Sequence, residues 1–89
     1  MMFRVLYTRT AMKQLKKMDK AIASFIISYI ESKLVNCSDP RIFGKSLHGN
    51  MRDKWRYRVG DYRILAKIDD ENIIITVVEI GHRKEIYNL

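Results

Sequence analysis

The chain has 89 residues with 17 Lys and Arg against 10 Asp and Glu, a formal charge of +7, and 47% of it is apolar. That balance excludes a disordered chain and gives enough apolar residues for one modest core, so residues 1–89 read as a single domain. No apolar run reaches the ~20 residues of a membrane span, and the start lacks a signal-peptide core. With Cys37 as the sole cysteine, an internal disulfide or thiolate zinc cluster is excluded too, and a cytoplasmic setting fits.

Residues 3–7 are a short strand with Phe3, Val5 and Tyr7 on one side. Thr8 or Thr10 can cap the helix that follows, because a hydroxyl accepts an otherwise orphan backbone N–H. There Ala11, Leu15 and Met18 fall at i, i+4 and i+7 as a buried stripe, leaving Lys13, Gln14, Lys16 and Lys17 mostly outside it. Asp19 is placed to cap a second helix over residues 20–35, whose apolar face runs through Ile22, Phe25, Ile26, Tyr29, Ile30 and Leu34. Pro40 closes that region, and residues 41–53 read as an irregular, basic connection.

Residues 54–67 organise the rest. They alternate in type, turn at Gly60-Asp61, and alternate again, the pattern of a β-hairpin with two unlike faces. A two-residue loop with Gly first fits a tight turn and pairs Val59 with Tyr62, Arg58 with Arg63, Tyr57 with Ile64, Arg56 with Leu65, Trp55 with Ala66 and Lys54 with Lys67. One face, with Trp55, Tyr57, Val59, Tyr62, Ile64 and Ala66, is suited to a core. The other carries Lys54, Arg56, Arg58, Arg63 and Lys67 around Leu65, and is expected to form an open, concave groove. Like charges directly opposite each other cost up to about 1 kcal/mol per pair, so the pattern calls for an anion. Between residues 41 and 67 there are eight basic residues (Arg41, Lys45, Arg52, Lys54, Arg56, Arg58, Arg63, Lys67) and two acidic ones (Asp53, Asp61), so this stretch holds +6 of the net charge.

After a turn at residues 69–72, residues 73–80 are too continuously apolar for a one-sided edge strand and read as an inner one. Gly81 ends it, and residues 82–87 form a polar tail of about one helical turn. The order β-α-α-β-β-β gives an α+β domain, two N-terminal helices on one face of a small, mostly antiparallel twisted sheet.

Metal chemistry finds no support, because His48 and His82 are far apart and the carboxylates lie in turns without ligand spacing. RNA cleavage suits the residues better. The RNA's own 2′-hydroxyl attacks the adjacent phosphorus, so a protein must supply a base, cations for the phosphorane oxygens, and an acid for the leaving 5′-oxygen. Arginine grips phosphate through a planar fork and keeps its charge, which makes Arg58, Arg63 and Arg83 the candidates. Tyr87 either stacks on a base or packs as a terminal aromatic on the core. His82 is either an inconsequential exposed histidine or, beside Arg83 at a strand end, a participant.

The segments Leu47-His48-Gly49, Tyr57-Arg58-Val59-Gly60-Asp61-Tyr62-Arg63-Ile64 and Gly81-His82-Arg83-Lys84-Glu85-Ile86-Tyr87, together with the order and length of the elements, resemble the RelE/ParE toxin superfamily. The ending Gly-His-Arg-x-x-Ile-Tyr is similar to the RelE branch. That resemblance implies a RelE-like fold and a type II toxin that enters the ribosomal A site, against 16S rRNA, and cleaves the mRNA held there. It further implies an endoribonuclease (mRNA interferase) with no metal or cofactor, inhibiting translation, and a cognate antitoxin that covers the basic groove in a hetero-oligomer. Carried over by position, Arg63 and Arg83 match transition-state and leaving-group arginines and Tyr87 a tyrosine that orients RNA. Arg56 and Arg58 stand where some relatives have lysines, one of them proposed as the general base. A guanidinium with a pKa above about 12 is a poor base, which leaves the base unassigned. His82 stands where another branch carries an acid histidine. Lys54 and Lys67, with Arg52, Arg56 and Lys84, are expected to bind the RNA backbone. Two other readings remain: a ParE-like inhibitor of DNA gyrase on the same fold, and a non-catalytic basic RNA-binding module.

Overall fold

The computed structural model describes residues 2–86. Strand β1 (Arg4–Tyr7) stops at Thr8, whose Oγ1 accepts from the Ala11 N–H at 3.1 Å and starts helix α1 (Arg9–Lys17). Of the two threonines that could cap, Thr8 does. Asp19 occupies the cap position of α2 (Lys20–Tyr29) without a side-chain hydrogen bond. The long second helix expected over residues 20–35 ends in a wide π turn, Ile30–Leu34, in which the Val35 N–H reaches the Ile30 carbonyl at 3.0 Å. Ile30 and Leu34 are both fully buried, and Asn36, at φ 63°, then turns the chain away.

The remaining elements are β2 (Lys45–Ser46), a 3-10 turn (Gly49–Met51), β3 (Trp55–Val59), β4 (Tyr62–Asp69), β5 (Ile74–His82) and α3 (Arg83–Ile86). The sheet runs β1-β5-β4-β3-β2; β1 lies parallel to β5 and the other pairs are antiparallel. Strand β5 is therefore the inner strand its apolar run suggests, and it continues through Gly81 to His82. The hairpin pairs from Trp55↔Ala66 to Val59↔Tyr62 are those expected from the sequence. Gly60, first in the turn, has φ +60°. Strand β2 lies within the stretch expected to be irregular, and two residues are too short to show a period.

The helices cover one face. Ala11, Leu15, Ile26, Ile30 and Leu34 pack on Tyr57, Val59, Ile64, Ala66, Ile75, Val77 and Ile80. Tyr57 is wholly buried and donates its hydroxyl to the Pro40 carbonyl at 2.7 Å; burial pushes its pKa above the ordinary tyrosine value.

One irregularity in β5 decides which side chains face out. Leu65 pairs with Glu79 but Ala66 with Val77, so β5 carries one extra residue, a β-bulge. Strict alternation from Ile75 and Val77 would turn Glu79 inward; the bulge brings Ile80 into the core and turns Glu79 to the opposite face. Helix α1 satisfies the backbone there. The Thr8 N–H donates to the Val77 carbonyl and its hydroxyl to the Val78 carbonyl, each at 2.9 Å, and Gln14 Oε1 accepts from the Ile80 N–H at 2.6 Å. Gln14, outside the apolar stripe in sequence, is thus a strand anchor.

Candidate nucleic-acid interface

The face turned away from the helices is laid out in rows by the strand register. One row runs Lys45, Arg56, Leu65, Glu79 across β2, β3, β4 and β5. The next, nearer the hairpin turn, is Arg58, Arg63, Gly81. Arg58 is exposed, Arg56 and Glu79 are half-buried, and Leu65 forms a fully buried floor. Two rows therefore oppose like charges on neighbouring strands, Arg58 to Arg63 and Lys45 to Arg56. Lys45 was hidden from sequence reasoning because β2 was.

The groove is less open than its charge pattern suggests. Arg63 is 3% exposed, and its Nη1 donates to the Gly60 and Tyr62 carbonyls at 3.3 and 3.1 Å. The guanidinium thus lies along the hairpin turn and ties its own charge to it. Arg83 starts α3 beside the same turn, its N–H donating to the Asp61 carbonyl at 2.8 Å, and its side chain is exposed, as is that of Lys84. Arg58, Arg63 and Arg83 therefore gather at one end of the sheet.

His82 falls elsewhere. It pairs with Tyr62, packs edge-on against that ring at 5.4 Å, and lines a pocket with Gln14, Lys17 and Asp19 on the helix side. Its Nδ1 accepts from the Lys84 N–H at 3.2 Å. His82 and Arg63 are on opposite faces, because His82 follows Gly81, which pairs with Arg63. Tyr87 lies outside the described residues.

At the other end of the sheet the expected anion site is already filled. The expected pairing of Lys54 with Lys67 lies outside the β3–β4 ladder, because Lys54 precedes β3, but both lysines reach Asp53, at 3.5 and 3.7 Å, and their charges are offset by that carboxylate of the chain itself. Arg52 is exposed beside them. Arg41 is committed to Asp70 through two hydrogen bonds of 2.9 and 3.0 Å, and those bonds hold the Asp70 carboxyl below the usual carboxylate range. Among the described residues no group of three or more His, Cys, Asp or Glu is arranged to hold a metal. No described helix is long and apolar enough to cross a membrane.

Two helices packed on one face of a five-stranded sheet, with Arg58 opposite Arg63 on the other face, define a small α+β protein. The family model for the ParE toxin of the type II toxin–antitoxin system parDE matches residues 5–87. Toxin RelG of Mycobacterium tuberculosis is 30% identical over 87 residues, covering 98% of each chain. A putative RelE-like toxin protein of Escherichia coli is 34% identical over 94 aligned positions, covering 100% of this chain and 94% of the relative. Among solved structures, the toxin–antitoxin complex RelBE2 of M. tuberculosis superposes with a TM-score of 0.83 at 28% identity, covering 92% of each chain. The chain belongs to the RelE/ParE superfamily of type II toxin–antitoxin toxins.

Proposed function

We propose that this toxin is a ribosome-dependent endoribonuclease that cuts mRNA in the ribosomal A site, in the cytoplasm and without a metal. The cross-strand pair of Arg58 and Arg63 carries the reading, since two guanidinium groups on one sheet face are a site for phosphate. Exposed Arg58 contacts the scissile phosphate. Arg63, held from beneath by the turn carbonyls, adds fixed positive charge where the phosphorane develops it. Arg83, at the start of α3, stabilises the leaving 5′-oxygen. Arg56, Lys45, Arg52 and Lys84 hold the RNA backbone, with Lys54 and Lys67 joining when RNA displaces Asp53. The 2′-hydroxyl is the nucleophile, which removes the need for a metal-activated water. His82, across the sheet, is assigned no contact with the phosphate.

The solved relative is a complex of toxin with antitoxin, and a cognate antitoxin that covers the basic face in a hetero-oligomer is the partner proposed for this chain. The match to a ParE toxin model favours a second reading, inhibition of DNA gyrase by protein contact.

A translation reaction of purified components, with new mRNA 5′ ends mapped, separates the two. Cuts within A-site codons, lost with Arg58→Ala or Arg83→Ala protein and lost without ribosomes, are expected. Intact mRNA together with inhibited gyrase supercoiling would overturn the nuclease reading.

A further inference from the structure

The arginines leave one task unfilled. A guanidinium has no lone pair with which to take the 2′-hydroxyl proton, so neither Arg56 nor Arg58 serves as the base. Glu79 lies in the same row as Arg56, separated from it by Leu65. Strands lie about 4.8 Å apart, so the Arg56 and Glu79 backbones stand roughly 10 Å apart on one face, with the fully buried Leu65 between them. Glu79 is half-buried and is one register step from the Arg58–Arg63 row. The other carboxylate at a strand position of this face, Asp69, is occupied by Asn72, whose backbone N–H and side-chain amide donate to it at 3.1 and 2.8 Å.

The bulge is what presents this group. Were the same residues of β5 to alternate strictly, with no bulge, the Glu79 carboxylate would point into the apolar core, and Thr8 and Gln14 hold the irregular backbone in place. Bulges that re-aim one side chain are common beside active sites. We infer that Glu79 is the general base, an assignment that rests on the nuclease reading above. As the 2′-oxygen bonds to phosphorus, its proton passes to a Glu79 carboxylate oxygen. The bond from phosphorus to the 5′-oxygen breaks, its electron pair stays on that oxygen, and a proton from water completes a 5′-hydroxyl. The other product ends in a 2′,3′-cyclic phosphate, and Glu79 returns its proton to solvent.

The test is single-turnover cleavage of ribosome-bound mRNA from about pH 6 to about pH 9 by wild-type, Glu79→Gln, Glu79→Asp and Arg58→Ala proteins, each checked for an unchanged unfolding midpoint. Glu79→Gln is expected to slow the chemical step by about 100-fold or more while the half-saturating toxin concentration stays within about threefold. Its rate should climb log-linearly with pH, as hydroxide replaces the missing base. Wild type and Glu79→Asp should lack that climb, the latter reacting more slowly than wild type. Cleavage by Glu79→Gln within about threefold of wild type, or a log-linear profile for Glu79→Asp, overturns the assignment while the nuclease reading stands. No cleavage by wild type overturns that reading and the assignment with it.

Discussion

Replacing Thr8 with Val keeps the shape of the side chain and removes its hydroxyl, which joins two parts of the fold. That hydroxyl accepts from the Ala11 N–H at 3.1 Å and donates to the Val78 carbonyl at 2.9 Å. Loss of a helix N-cap costs about 1 kcal/mol. Leaving the part-buried Val78 carbonyl without its side-chain donor adds about 1 kcal/mol more. The two sites are coupled only through Thr8, so about 2 kcal/mol is expected in all. For a domain of this size that lowers Tm by about 10 °C. In urea the midpoint should fall by about 1 M with an unchanged slope. Thr10→Val is the control, because Thr10 is exposed within α1 and does not cap the helix; it should stay within about 0.5 kcal/mol of wild type. If Thr8→Val is as stable as wild type, or Thr10→Val equally unstable, the account of the cap and of the pinned bulge is wrong.

Gly44 has φ +79°, and a Cβ there would lie 2.2 Å from the Arg56 carbonyl oxygen, so Gly44→Ala should cost at least about 3 kcal/mol in denaturant unfolding. Gly49, at φ +64° with open space around it, should lose only about 1 kcal/mol on the same change. Arg58→Ala should raise stability, by up to about 1 kcal/mol, by relieving its opposition to Arg63, and yet abolish mRNA cleavage; a variant both less stable and fully active would contradict the site. The pairing with Arg41 depresses the Asp70 pKa, so its contribution is fully present above the unfolded value near about pH 4 and is lost as pH falls through the lower folded value. Wild type and Asp70→Asn should therefore differ in stability at neutral pH and converge in strong acid, as pH-dependent urea midpoints will reveal.

The hairpin was legible because two rules agree on it: alternation sets the faces, and Gly60 fixes the turn and with it every pair from Trp55 to Ala66 onward. The apolar run of β5 likewise marked an inner strand. What escaped was information that resides between elements. Lys45 entered the basic face only through pairing with Arg56, in a strand too short to have a pattern. Asp53 lies in the connection before β3, and nothing in its spacing shows that it serves both Lys54 and Lys67. A bulge adds one residue without a local signature, and Glu79 was therefore invisible as a member of the basic face. For His82 the rule was available, since it follows the residue opposite Arg63 and must face the other way.

The parallel pairing of β1 with β5 bears on how the molecule is made. Arg4 meets Ile74 and Tyr7 meets Val77, contacts that bridge nearly the whole described chain. A ribosome that has polymerised everything through Asn72 has produced both helices and the hairpin with its arginines, but not the strand that joins β1 to β4. That nascent chain has β1 without a partner, an open edge on β4, and no Glu79. The inner strand that closes the core therefore also carries the carboxylate, and the chain cannot assemble the complete face before it has gained its fold.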